Sequence, residues 1–262
     1  MENYFDDSLL ETFAETFYGY GNYNGHYWLI GMEEGGGDLF DNVEKRLSAC
    51  NKRGRQELED VAEFHRAIDL GELFDEKPTR QPTWDKLTRI LLSAEGLLST
   101  ESQDEQRKQI REYRQTSLGK ISGGENCLIE LFPLPSPSIK HWMYEHHSEL
   151  MQLKSRERYI EHYKSRRVKH IRARIDQYRP RVVVFYGTTY LHFWEEIVTN
   201  TTCPFDKTSK PYIAQQNGTL FIVIDHPASR WANKYFDNIG QRISSDLAMS
   251  HAELGSSVEA RN

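Results

Sequence analysis

Trp28-Leu-Ile-Gly-Met-Glu-Glu-Gly-Gly-Gly37 is the stretch whose reading decides the fold. It is an apolar strand that stops abruptly and delivers two carboxylates from a glycine-rich turn. Phe221-Ile-Val-Ile-Asp-His-Pro-Ala-Ser-Arg230, near the other end, repeats the form and delivers a histidine locked by the proline after it. In an open α/β sheet such strand ends converge at the carboxyl edge, where ligands bind. The two loops are therefore the halves of one expected active site, far apart in sequence, and the pairing points to an enzyme.

Working outward, a core strand is expected over 26–30, a second over 126–131 and a third over 182–185. The third is a continuous apolar run of the kind buried parallel strands show. Gly187 ends it, and a helix over 188–198 completes a strand–turn–helix unit. Asn217-Gly218 reads as a tight hairpin turn that sets 212–214 beside a strand over 220–224. Helices are expected over 8–20, over much of 41–73 with a break at 51–54, from Thr83 as N-cap through 92, over 103–115, over 150–178, and from 241 into a polar tail after 255. Trp28, Phe185, Phe193 and Trp194 read as packing residues. The expectation is one domain over 1–262, α/β in class: a three-layer α/β/α sandwich around a mostly parallel central sheet.

Composition narrows the function. Hydrophobic residues are 38% and charged residues 27% of 262, and no apolar run is long enough to span a membrane. The acidic N-terminus lacks a signal-peptide layout. Cys50, Cys127 and Cys203 are isolated and odd in number, as reduced thiols are, so a cytoplasmic monomer is expected. No Cys/His cluster exists for zinc or iron–sulfur. His141, His146 and His147 lack a carboxylate or cysteine at ligand spacing and read as a solvated or DNA-facing helix, so no metal is expected. The net charge is −6, but residues 154–174 hold nine Lys/Arg against two Glu, a local balance of about +7 that leaves about −13 elsewhere. That run is either a solvated helix face or a phosphate-contacting helix.

Four strand-end segments resemble the uracil-DNA glycosylase superfamily, closest to its single-strand-selective monofunctional branch. Gly31-Met32-Glu33-Glu34-Gly35 looks like that branch's Gly-Met-Asn-Pro-Gly motif. Glu130-Leu-Phe-Pro133-Leu134 resembles a motif in which Asn precedes Cys-Pro-Leu. Val182 to Gly187 is similar to the central strand and its glycine turn. His226-Pro-Ala-Ser-Arg230 is similar to the closing His-Pro-Ser-Pro-Arg-Asn. The resemblance spans roughly Tyr27 to Asn233 and rests on four short motifs in the right order. It implies a uracil-DNA glycosylase-like fold, DNA as partner, no cofactor, and base flipping followed by hydrolysis of the N-glycosidic bond.

The resemblance places Glu33 at the water-positioning Asn or Asp and His226 at the imidazole that donates to the leaving base, so both are expected to be catalytic. It puts Gly31, Met32, Glu34, Gly35, Phe40, Glu130 and Phe132 around the base, with Trp84 a further stacking candidate. Ser136 and Ser138 are expected at DNA phosphates. Arg230 and Trp231 fall in the wedge loop, where Trp231 either fills the hole left by a flipped base or packs on the terminal helix. No lysine in these motifs offers a Schiff base, which implies monofunctional chemistry.

The departures point to the substrate. Glu130 stands where uracil readers carry Asn. Ionised, it offers only acceptors; protonated, it offers a donor and an acceptor, which suits cytosine's N3 and exocyclic amine. Glu34 replaces a proline and further glycines follow, which opens space on the base's C5 side. Both changes point to a bulky hydroxylated cytosine, such as the glucosylated hydroxymethylcytosine of phage DNA, and to antiviral defence, with Glu34 accepting from sugar hydroxyls. The alternatives are an ordinary uracil repair enzyme, a nucleoside hydrolase acting on free small molecules, and a non-catalytic DNA-binding module.

Overall fold

A computed structural model describes residues 3–36, 39–199 and 204–259. Gly37 and Cys203 lie outside the described residues. In chain order the elements are α1 (Asp7–Thr16), β1 (Gly19–Gly21), β2 (Tyr27–Gly31), α2 (Phe40–Lys52), β3 (Leu58–Glu59), α3 (Val61–Ala67), α4 (Pro82–Ala94) and α5 (Gln103–Thr116). They continue with β4 (Asn126–Glu130), α6 (Tyr144–His147), α7 (Arg156–Tyr178), β5 (Val182–Tyr186), α8 (Leu191–Val198), β6 (Tyr212–Gln216), β7 (Thr219–Ile224) and α9 (Asn233–Glu259).

The strands form one seven-stranded mixed sheet in the order β3-β1-β4-β2-β5-β7-β6. The central four, β4, β2, β5 and β7, are mutually parallel and buried throughout. Such strands need cover on both faces, and adjacent residues of β2 show where it comes from. The Tyr27 hydroxyl reaches Glu95 at the end of α4, while the Trp28 ring lies 6.5 Å from Tyr178 at the end of α7. Neighbouring side chains on a strand point to opposite faces, so α4 and α7 lie on opposite sides of the sheet. The chain is α/β with a mostly parallel core, as its sequence leads one to expect. β6 and β7 pair antiparallel around Asn217 and Gly218, whose φ values of 52° and 83° are those of a two-residue primed turn.

Several expected boundaries move. The first helix stops at Thr16, and β1 occupies the place of its last turn. Gly19 takes φ 138°, and a Cβ there would lie 2.0 Å from the Leu128 carbonyl oxygen, so the glycine exists for close approach to β4 and not for helix. Thr83 is not a cap: Gln81 is, its side chain accepting from the Trp84 N–H, with Pro82 in the first turn. The long basic helix starts at Arg156, capped by Ser155. The terminal helix begins at Asn233 and continues past Gly255 to Glu259, through the region expected to be a tail.

Candidate active site

The parallel strands end side by side, Gly31 opposite Glu130 and Tyr186 opposite Ile224, and this edge opens into a cleft of about 320 Å³. Its walls include Met32, Glu33, Glu34, Gly35, Trp84, Glu130, Ser136, Ser138, Tyr186 and His226. The two glycine- and proline-bounded loops thus meet, as do the ends of β4 and β5. Gly31 is required here by space: a Cβ would lie 2.3 Å from the Tyr186 ring.

Glu33 is 10% exposed and ion-paired to Arg156 Nη2 at 2.5 Å, the guanidinium coming from the first turn of α7. Burial raises the Glu33 pKa and Arg156 opposes the rise. Arg156 Nη1 is buried without a hydrogen-bond partner, and the guanidinium lies 5.8 Å from the Trp142 ring. The carboxylate is thereby fixed in one orientation at the cleft wall.

Glu34 is held differently. Its Oε2 accepts from Arg46 Nη1 at 2.7 Å and from the Tyr20 hydroxyl at 3.0 Å, and its Oε1 lies 3.2 Å from His65 Nε2. Burial alone would raise its pKa, but Arg46, His65 and Tyr20 outweigh that and hold it at about 2. With three contacts on two oxygens, Glu34 is an anchored anion of the wall. This corrects the expectation that it serves sugar hydroxyls, since most of its lone-pair positions are taken.

Glu130 is shifted the other way. It is 8% exposed, Oε1 accepts from the Tyr186 hydroxyl at 2.9 Å, and Oε2 is buried without a partner. Burial pushes its pKa well above the usual carboxylate range; Glu34 and Glu33 push the same way, while Tyr186 and Arg167 oppose. That shift favours the neutral acid, and with Tyr186 donating to Oε1 the proton of that form belongs on Oε2. In that form Glu130 is a donor and an acceptor at once.

His226 stands exposed at the rim, with its ring centroid 5.5 Å from that of Tyr186. The Ala228 N–H donates to Nδ1 at 3.0 Å. An amide nitrogen only donates, so Nδ1 is the acceptor and the ring hydrogen of the neutral tautomer sits on Nε2. Desolvation by the cleft walls lowers the His226 pKa, and Lys86 lowers it further. Lys86 also braces the loop, donating to the carbonyls of Pro227 at 2.6 Å and Ser229 at 2.9 Å.

The remaining expected residues divide. Met32 and Gly35 line the cleft, and no atom lies within 4 Å of a Cβ built on Gly35, so the space beside it is open. Trp84 lines the cleft with its ring 5.1 Å from His65. Phe40 does not: it stacks on Phe5 at 4.3 Å and 4°, outside the lining. Phe132 is also removed from the base site, fully buried between Phe193 and Tyr159. Ser136 lines the cleft, but its hydroxyl faces the carbonyls of Ser138 and His141, so it orders its own loop; Ser138 is exposed on the wall. Arg230 is exposed and has no ion pair among the described residues. Trp231 is 50% exposed and stacks on Tyr235 of α9 at 4.8 Å, so it packs on the terminal helix while leaving a face open.

The basic run of α7 is mostly engaged within the protein. Arg156, Lys164, Arg166 and Arg174 pair with Glu33, Glu196, Glu15 and Glu57. Lys154, Arg167 and Arg172 bond backbone carbonyls. Seven of the nine cations of residues 154–174 thus have partners within the protein. Among the described residues no group of three His, Cys, Asp or Glu side chains is placed to hold a metal ion, and no helix is long and apolar enough to cross a membrane.

Arg156, Arg46, His65, Tyr186 and Lys86 are the residues that sequence reasoning missed. Only Tyr186 had a local signal, as the last residue of an apolar strand before Gly187. No family model matches the chain, and no curated protein matches its sequence.

Proposed function

We propose that this chain is a monofunctional DNA glycosylase that flips a modified pyrimidine, preferably a bulky modified cytosine such as glucosylated hydroxymethylcytosine in phage DNA, and hydrolyses its N-glycosidic bond. The observation that carries the reading is the meeting, in one cleft, of an anchored carboxylate (Glu33), a buried carboxyl whose burial favours the neutral acid (Glu130) and a histidine whose Nε2–H is free (His226).

The chemistry follows from these charge states. As the bond from the sugar C1′ to the base nitrogen breaks, its electron pair leaves with the base, and C1′ becomes oxocarbenium-like. Glu33, aligned by Arg156, orients the water and faces the positive charge; the water oxygen bonds C1′ and its proton is released. His226 Nε2–H donates to the carbonyl oxygen of the departing base. The Glu130 O–H donates to cytosine N3 while its carbonyl oxygen accepts from the exocyclic amine. This arrangement relieves negative charge on a poor leaving group. Uracil's N3–H would compete with the Glu130 proton. The open side at Gly35 gives room for a substituent on C5.

The test is base release from three otherwise identical DNAs that carry uracil, hydroxymethylcytosine or glucosyl-hydroxymethylcytosine, read by alkaline cleavage at abasic sites. Release from the glucosylated DNA, abolished in Glu33→Gln with binding retained, is expected. Release of uracil alone would replace the reading with ordinary uracil repair. No release from any, with DNA still bound, would leave a non-catalytic module.

A further inference from the structure

A second cavity, of about 310 Å³, lies between α4, α5 and the start of α9. Its walls carry Arg80, Lys86, Arg89, Arg107, Arg111 and Arg114 against one carboxylate, Asp85. Part of this charge is structural. Arg114 pairs with Asp85 at 2.8 Å, Arg89 grips Asp237 through two hydrogen bonds of 2.8 Å, and Arg107 pairs with Asp104. Arg80, Lys86 and Arg111 have no carboxylate partner among the described residues.

Three unpaired cations crowded around three paired ones repel, and a fold gains nothing by concentrating them unless an anion joins. The mutual repulsion is visible: Arg111 opposes the charge of Arg114, and Arg80 that of Lys86, in each case adding to the effect of burial. Arg114 is 1% exposed and its Nη1 and Nη2 are taken by Asp85 and the Thr79 carbonyl, so the cations left to meet an anion are the exposed Arg80 and Arg111. Pro78, Pro82 and Ile110 give the cavity a stiff apolar rim.

We propose that this cavity is a phosphate-binding site, with Arg80 and Arg111 as the cations that meet the anion. Arginine forks suit phosphate oxygens, and the volume sits at the small end of ligand pockets, roughly 300–1,000 Å³. Lys86 reaches both this cavity and the Pro227–Ser229 loop beside His226, so the two sites share a wall. The phosphate could belong to a nucleic-acid backbone, which rests on the glycosylase reading, or to a free phosphate compound, which does not.

The probes are inorganic phosphate and a fluorescein-labelled single-stranded 20-mer. The variant is Arg80→Ser/Arg111→Ser, whose changed side chains are exposed and free of ion pairs. Phosphate at tenfold its dissociation constant, against sodium chloride of equal ionic strength, should raise the wild-type melting temperature by about 3 °C and leave the variant unmoved. If the source is a DNA backbone, the slope of log affinity for the 20-mer against log salt falls by about 1.4 in the variant, from two lost phosphate contacts. An unchanged slope with the phosphate effect intact assigns the site to a free phosphate compound. If phosphate fails to stabilise the wild-type protein, the site is overturned. Base release measured on the same variant separates that failure from failure of the glycosylase reading.

Discussion

Glu34 and Glu130 face one cleft with pKa values shifted in opposite directions, and their partners explain why. Glu34 has a guanidinium and two further contacts on its oxygens, whereas Glu130 has one tyrosine hydroxyl and two neighbouring carboxylates. Their effects on stability therefore have opposite signs. Glu130 is raised above its unfolded value of 4.5, so its contribution is full below that pH and is lost as pH rises toward the folded value. Glu34 is lowered to about 2, so its contribution is present above pH 4.5 and is lost as pH falls toward 2. Glu130→Gln keeps the shape of the neutral acid and cannot ionise. It should raise the melting temperature more at pH 8 than at pH 5, by thermal denaturation at both; an equal shift would mean that Glu130 is already ionised in the folded protein. His226 gives the acid limb of activity. Its pKa lies below 6.5, and protonating Nδ1 displaces the Ala228 N–H. Base release should therefore fall only below pH 6.5, and a rate with no acid limb there would remove His226 from that role.

At the scale of elements, the strands were legible because their signal is local. The apolar run of β5, the Asn217-Gly218 turn and the abrupt ends of β2 and β7 are all written in consecutive residues. What failed was also local: Gly19 is compatible with the end of a helix until its partner strand is known. The cleft was legible in outline, because strand ends must converge. Its charge states were not, since Arg156, Arg46 and His65 arrive from three other elements with no spacing that links them to Glu33 or Glu34. α7 shows the same limit. Arg167 looked like surface charge, yet it is fully buried, donating to the carbonyls of Leu131, Glu130 and Phe17 at 2.7, 2.8 and 2.8 Å with its guanidinium 3.7 Å from the Tyr18 ring. It ties α7 to the end of β4 and so sets where Glu130 stands. Arg167→Lys keeps the charge but not the fork. Loss of two of these bonds should cost about 3 kcal/mol in a denaturant titration, with the position of Glu130 disturbed as well. A loss under about 0.5 kcal/mol would mean that the carbonyls find other donors.

Across the whole molecule, the cleft depends on how two helices, α4 and α9, pack on each other. α4 supplies Trp84 to the cleft wall, Lys86 to the His226 loop and Arg89 to the basic cavity. It is held against α9 by Arg89–Asp237 and by the Ser93 hydroxyl donating to the Asp237 carbonyl at 2.8 Å. One turn further, Gly240 lets the two backbones touch: a Cβ there would lie 2.5 Å from the Ile90 carbonyl oxygen and 2.8 Å from the Ala94 nitrogen. Neither atom belongs to a side chain that could swing away, so Gly240→Ala must push α9 off α4. Alanine has the better helix propensity, by about 1 kcal/mol, and in an exposed helix it would stabilise. Here the overpacking, typically about 1–3 kcal/mol, opposes that gain and moves the helix that carries Lys86. The expected result is a net loss of about 1 kcal/mol in denaturant titration together with slower base release, because the brace on Pro227 and Ser229 shifts with α4. Gly123→Ala is the control: unlike Gly240 it has a left-handed φ of 65°, and no atom lies within 4 Å of a Cβ there, so it should lose stability from backbone strain alone and leave base release unchanged. If Gly240→Ala instead raises stability and leaves the rate untouched, α4 and α9 have slack between them, and the cleft does not depend on how closely they pack.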